Sequence, residues 1–538
     1  MIVDALHFLP DSINECDLCI VGGGPLGMLL ARNLVRSGEK IVILEAGGIE
    51  GSDASQDLLL GDDQTGEYHD LIESRHCQLG GTVNIWNTPV DGEKGAKHVP
   101  LDAIDFEKRD WIPHSGWPFP KETLDPYYVR AHELCGLGPV EYGANQWPDS
   151  ENLPYPLDSS QIISKVYQLA GPGPFLKDLR QFVETSENVI CVVNAPVSEL
   201  IGELASRQTR QARVALGNEK SFLFQARRFV LAAGGIENAR LLLASASQCA
   251  RGLGNNHDVV GRYYMDHPAY YFTELIPRDP RLFERSGFYD LRKIRQTTLL
   301  GRLALTEETL RRERLLNLSV VLYPKVAGYR SKGIEALRQL RFRLRERKFK
   351  QALPHLVPTL LGVGEIMAYS RELRANPILE GAHYWQAAAS KGARFATFEP
   401  QFYLEQPPDP NNRIILSEKK DAVGRARSAT HWTWGKQSLE SACRAAEILN
   451  QALQKANIGE LRTLKSTRVN PSAHHHMGST RMADDPRFGV TDSNARLHGS
   501  DNVYVAGSSL FPTGGYVNPT LTALALCLKL SDFLKSKE

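Results

Sequence analysis

The sequence predicts an α/β protein with two interleaved domains, and three stretches carry that expectation. Near the N-terminus, CDLCIVGGGPLGMLLARNLVRSGEKIVILEAGG reads strand, glycine turn, helix, strand. In the middle, FVLAAGGIENARLLLAS (229–245) repeats a strand, an Ala-Ala-Gly-Gly turn and a helix. Towards the C-terminus, NVYVAGSSLFPTGGYVNPTLTALALCLKL runs another strand into Gly507 and ends on a long apolar helix.

In the first stretch Leu18, Ile20 and Val21 lead in as a strand. Leu26, Leu29, Leu30, Leu34 and Val35 then recur at helical spacing. Ile41-Val42-Ile43-Leu44 is a continuous apolar run, as expected of a parallel strand covered on both faces. Gly22, Gly24 and Gly27 stand between strand and helix in the spacing GxGxxG. Gly22 permits the tight turn, Gly24 lets a pyrophosphate approach the backbone, and Gly27 lets helix and strand pack closely. The helix N-terminus would face the phosphates with unpaired N–H groups. Glu45 ends the next strand, placed to accept hydrogen bonds from an adenosine ribose. This is a Rossmann-type dinucleotide site, and its glycines alone leave NAD and FAD both open.

Further strands are expected at Val189–Val193, 228–232 and 503–506. Long inserts separate them, so the cofactor domain is expected to be discontinuous, from 14–135, 186–275 and 468–538. Residues 136–185 and 276–467 would form a substrate domain with mixed helix and strand.

At 538 residues the chain exceeds one ordinary domain. With 42% hydrophobic and 23% charged residues it has the composition of a globular protein. Lys and Arg number 63 against 62 Asp and Glu, so no overall field favours nucleic acid or anionic membranes. No apolar run approaches the roughly 20 residues that span a bilayer. The start, MIVDALHFLPDSINE, lacks the basic and apolar regions of a signal peptide, so a cytoplasmic location is the default expectation. Eight cysteines are scattered along the chain. Cys16 and Cys19 fall on a strand, where residues three apart face opposite sides, which disfavours a shared metal.

Residues 330–350, RSKGIEALRQLRFRLRERKFK, are strongly basic with a stripe of Ile334, Leu337, Leu340 and Leu344. This reads as a surface helix with a solvated basic face. Contact with a membrane surface or an acidic partner is the sharper alternative.

AHHHMGSTRM (473–482) places three histidines in consecutive positions. Neighbouring side chains diverge on both helix and strand, so three in a row do not converge on one metal ion. The run lies well inside the chain, unlike a purification tag. A solvated loop or a catalytic segment remains.

SRHCQLGGTVNIWN adds Gly80-Gly81 beside Thr82, Asn84 and Trp86. In this order the motifs resemble the glucose–methanol–choline oxidoreductase family of FAD enzymes. The resemblance spans nearly the whole chain and is strongest in 17–48, 74–135, 229–268 and 470–535. DFEKRDWIPHSGWPFPKETLDPYYVRA (105–131) resembles a bacterial branch that includes sugar, polyol and aminosugar dehydrogenases and relatives of pyranose oxidase.

The resemblance implies FAD in an extended pose. Gly80, Gly81 and Asn84 would run beside the flavin, Val197 near adenine, and Gly507, Ser508 and Thr520 would complete the site. Some family members attach the flavin through a histidine at the place held here by Ile85, so non-covalent FAD is expected. His76 precedes the glycine pair and is a poor substitute. Ser508 stands where many flavoproteins carry an acidic residue.

Oxidising an alcohol requires a base within hydrogen-bond reach of the hydroxyl, and histidine suits that role. The family's His-x-x-Gly signature falls on His475, through Gly478, and its second catalytic position on Asn518. Read from the residues alone, Asn518 is a helix N-cap with Pro519 at the first helical position. Both roles can hold. Arg481 is expected to be structural. Tyr263, Tyr264, Trp432 and Trp434 are read as core rather than sugar-stacking residues.

The expected reaction is oxidation of an alcohol on a sugar-like, aminosugar or polyol substrate, with hydride passing to flavin N5. The electrons would then go to oxygen, a quinone or a protein. An FAD-containing lyase of the same fold is the main alternative, and a metal- or partner-binding protein a more distant one.

Overall fold

The computed structural model describes residues 1–36, 38–68, 71–203, 207–247, 249–345, 349–375, 385–390, 394–470 and 473–537. Its first sheet has eight strands, in the order Ile2–Asp4, Val189–Val193, Ile41–Leu44, Ile13–Val21, Lys220–Leu231, Gln208–Gly217 and Val197–Glu203, with Val503–Val505 beside Lys220–Leu231. The pairings from Ile2–Asp4 through to Lys220–Leu231 and on to Val503–Val505 are parallel, and the last two strands of the row join antiparallel. This is the expected α/β architecture. Ile41–Leu44 is buried at every position, which explains its unbroken apolar run.

Helices Pro25–Leu34 and Thr520–Ser536 pack on each other, and Asp125–Cys135 packs on the second of them. Thr520–Ser536 is buried on nearly all sides through Leu528, matching the apolar run at its start. It begins one residue later than expected, with Pro519 in the capping position.

A second, nine-stranded sheet runs Gly459–Asn470, Ala269–Pro277, Phe395–Leu404, Leu318–Val326, Thr297–Leu305, Ile162–Ala170, Glu93–His98 and Thr88–Val90, with Leu291–Ile294 beside Thr297–Leu305. Thr88–Val90, Glu93–His98 and most of Ala269–Pro277 lie within segments expected on the cofactor side, yet they hydrogen-bond into this second sheet. Helix Lys436–Lys455 covers it, burying Ala442, Ala445, Ile448, Leu449 and Ala452 along one helical stripe. Arg413–Lys420, Ala426–His431 and Gly61–Asp63 form a three-stranded sheet.

Strand geometry corrects one expectation. Asp17 and Leu18 both donate their N–H to the Lys40 carbonyl, at 2.9 and 3.4 Å. The Cys16 and Cys19 side chains are close enough to interact rather than facing apart. Both are free thiols, and burial together with the hydrogen bond to Cys16 raises the Cys19 thiol well above its ordinary value.

Candidate active site

The carboxyl ends of Ile13–Val21 and Ile41–Leu44 open onto a cavity of about 410 Å³. Gly22 has φ +110°, and a Cβ there would stand 2.6 Å from the Ala232 carbonyl oxygen. A Cβ on Gly27 would lie 2.0 Å from the Gly22 oxygen, so the helix presses directly on the turn. Gly24 differs: nothing stands within 4 Å of its Cβ position, and the residue lines the cavity. Gly24 is also the N-cap of Pro25–Leu34, with Pro25 at the first position, so the helix start borders the same space. Two glycines therefore shape the turn and one leaves room for a ligand, which fits an extended dinucleotide such as FAD.

Glu45 also lines the cavity. Its two oxygens accept from Gly23 N at 2.7 Å and Gly47 N at 2.8 Å, tying the glycine turn in place. Burial pushes its carboxyl up to about 7, against the lowering effect of these N–H groups. Gly80 N donates to the Gly23 carbonyl at 2.9 Å, which docks the second glycine segment on the first. Gly81 and Thr82 reach the cavity wall, whereas Gly80, Asn84 and Gly27 stand behind it. The Asn84 amide donates to the Gly81 carbonyl at 2.9 Å and so holds the loop. Val197, Gly507, Ser508 and Thr520 all line the cavity, as do His76 and Ile85. The Ser508 hydroxyl donates to the His476 carbonyl at 2.6 Å.

The three histidines have three different environments. His474 has φ +62° and is exposed. His476 is buried beside Tyr68 and Tyr264, and burial lowers it to about 3. His475, between them, has its Nε2 3.0 Å from Asn518 Nδ2 and its Nδ1 2.8 Å from His267 Nδ1. With the amide nitrogen of Asn518 towards it, His475 Nε2 must accept. The ring proton then sits on Nδ1 and is donated to His267. His267 carries its own proton on Nε2, which faces the backbone of Gly514 and Gly515 without a well-formed hydrogen bond.

Asp266 fixes this pair. Its Oδ1 accepts from His475 N at 3.0 Å and His267 N at 2.7 Å, and Tyr68 donates to its Oδ2 at 2.7 Å. Burial, and then His267, hold the His475 pKa well below its ordinary 6.5, with Asp266 opposing. Asp266 and His267 were not among the expected site residues. Their contacts with His475 span about 210 residues of chain, and a single sequence carries no spacing rule over that distance.

The loop before Asn518 is braced from both sides. Trp117 Nε1 donates to Thr513 Oγ1 at 3.0 Å, and Tyr516 donates to Asp102 Oδ2 at 3.0 Å. Burial works against the Asp102 carboxylate, but Lys165 at 2.6 Å and Arg302 outweigh it and hold it at about 2. Arg302 itself lies between the rings of Tyr167 and Tyr516, at 4.7 and 4.5 Å. Arg481 stacks on Tyr263 at 4.4 Å and donates to the His114 carbonyl, a structural role. Tyr264 and Trp432 are core residues.

Residues 408–527, which include His475 and Asn518, match the family model described as GMC oxidoreductase. The chain is similar to that family over this C-terminal part. It is 24% identical to the fructose dehydrogenase large subunit of Gluconobacter japonicus, over 96% of this chain and 97% of that one. It is 31% identical to paromamine 6'-oxidase of Streptomyces fradiae, over 23% of each. The crystal structure of formate oxidase shares the fold, with a TM-score of 0.55 and 16% identity over 99% of both chains.

Proposed function

We propose that this chain is a GMC oxidoreductase that oxidises a carbinol on a sugar-like, aminosugar or polyol substrate to the carbonyl, with His475 as base and non-covalently held FAD. The observation that carries the reading is the pairing of His475 Nε2 and Asn518 Nδ2, 3.0 Å apart, on the wall of the cavity that the three glycines shape. Bound there, FAD would supply the two-electron acceptor.

The chain's own residues do the rest. Gly22, Gly24 and the start of Pro25–Leu34 would hold the pyrophosphate, with Glu45 at the ribose and Val197 towards adenine. Gly81, Gly507, Ser508 and Thr520 would run along the remainder, with Gly80 and Asn84 keeping that loop in shape. A substrate hydroxyl within reach of both His475 and Asn518 accepts from the amide and gives its proton to the imidazole. The Nδ1–H bond to His267 keeps Nε2 free for that proton, and Asp266 lies close enough to favour the resulting charge. The residue at 85 is isoleucine, which forms no bond to flavin, and His76 is engaged with Gln78 at 2.8 Å. On acid precipitation the flavin is expected in the supernatant; flavin in the pellet would overturn the non-covalent reading.

The cofactor part is proposed to comprise 14–135, 186–275 and 468–538, and the substrate part 136–185 and 276–467. The relatives named as a fructose dehydrogenase and a paromamine oxidase support a sugar-like or aminosugar substrate. The discriminating experiment is anaerobic flavin reduction screened against sugars, aminosugars, cyclitols and polyols, followed by reoxidation with oxygen or a quinone. Bleaching by at least one carbinol is expected. Turnover of a substrate without bleaching would point to a lyase instead.

A further inference from the structure

Between the paired strands Leu318–Val326 and Phe395–Leu404 the chain leaves the second sheet in a helical excursion. It contains Lys332–Arg345, Phe349–Ala352, Leu356–Leu361 and Val363–Ala375. The excursion has its own inside: Ile334, Ala336 and Ala352 are buried, and a Cβ on Gly333 would stand 2.6 Å from the Gly362 carbonyl oxygen. Its outside is apolar where a water-facing helix should be polar. Leu361 is 84% exposed, Leu360 70% and Val357 63%, with Phe349, Leu353 and Met367 in the same condition.

Charge marks the same excursion. Residues 330–350 hold nine Lys and Arg against two Glu, on a chain whose net charge is +1. Arg330 is paired with Glu399, and Arg338 lies 3.7 Å from Glu335. Lys332, Arg341 and Lys350 are exposed.

We propose that this excursion is a docking surface for an anionic lipid bilayer, with the apolar tip at 353–361 entering the headgroup–acyl boundary and the basic helix Lys332–Arg345 facing the phosphates. Among the described residues no helix is long and apolar enough to cross a membrane, so the contact is with one leaflet. A second copy of the chain fits the apolar tip but not the charge, since a symmetric pairing would bring two basic helices together. Exposed leucine beside exposed arginine complements a surface that is negative outside and apolar beneath.

The test is co-sedimentation of the full-length holoenzyme with phosphatidylcholine–phosphatidylglycerol vesicles and with phosphatidylcholine vesicles. The wild type is expected to pellet with the first, weakly with the second, and less as salt rises. Leu360→Asp with Leu361→Asp should lower partitioning on the order of tenfold or more while keeping bound flavin and the same thermal melt. Arg341→Glu with Lys350→Glu should abolish the preference for anionic vesicles. Absence of the wild type from the anionic pellet would overturn the proposal, as would undiminished pelleting of the double aspartate variant. So would a wild-type dimer that ignores vesicles and becomes a monomer in that variant, since the tip would then belong to a second copy.

Discussion

At the residue scale the proposed chemistry turns on which nitrogen of His475 faces the cavity. Its Nδ1 is engaged by His267, 2.8 Å away, so Nε2 faces Asn518 and the cavity. His267→Ala removes the acceptor of the Nδ1 proton and leaves that donor buried and unpaired. On the order of a ten- to hundredfold loss in kcat is expected, with KM little changed. His267→Asn, whose side-chain oxygen can accept, should restore part of the loss. A variant with wild-type kcat and an unchanged pH profile would leave His267 without a positioning role. Because burial and then His267 hold the His475 pKa well below 6.5, the base is already neutral at pH 7. The rate of flavin reduction is therefore expected to stay level through pH 6.5 and to fall only on the more acid side; a midpoint at or above 6.5 contradicts it. His475 could be singled out in the sequence because it has glycine three residues on. His267 could not, because its role exists only once distant segments have met.

At the element scale, the GxGxxG turn shows how far local pattern reaches. The roles of its three glycines were legible because each follows from turn and helix geometry over six residues. Gly24→Ala adds a Cβ in open space, so the apoprotein should melt as the wild type does while flavin binds more weakly. Gly27→Ala places a Cβ 2.0 Å from the Gly22 oxygen and should destabilise the fold by about 1–3 kcal/mol or more. Equal melting temperatures for the two apoproteins would contradict this division of labour. The start of Thr520–Ser536 was less legible. Asn-Pro reads as a cap, but the Asn518 amide is spent on His475 and the helix begins one residue later than that cap implies, at Thr520. The Cys16/Cys19 contact was not legible either, because strict alternation puts residues three apart on opposite faces.

At the scale of the whole molecule, the first sheet could be read from its apolar runs and glycine turns. The second could not, because its strands pair across long inserts and Thr297–Leu305 is buried throughout, which erases the two-residue alternation. One tie across the molecule is the buried pair of Arg109 and Glu405, with side chains 1% and 0% exposed. Glu405→Ala would strand the guanidinium and is expected to cost about 3–5 kcal/mol, read by urea unfolding. Acid should act on the whole fold. His98 and His476 are held at about 3, chiefly by burial, and His475 and His267 are also lowered. The unfolded chain protonates these groups near 6.5 and the folded one only at lower pH, so the unfolded state binds more protons and stability falls as pH drops below 6.5. Glu45, raised to about 7, has the opposite sign and offsets one of them. A urea midpoint that does not decrease between pH 7 and about 5.5 would contradict this balance.

Of the three consecutive imidazoles, one is proposed to do the chemistry. The most direct test is anaerobic stopped-flow reduction of the flavin in His475→Ala, with His474→Ala alongside and a substrate taken from the screen. Both variants are expected to remain yellow, with His475→Ala reduced roughly 10²–10⁴-fold more slowly and His474→Ala close to wild type. Reduction of His475→Ala at near the wild-type rate would contradict its assignment as the base.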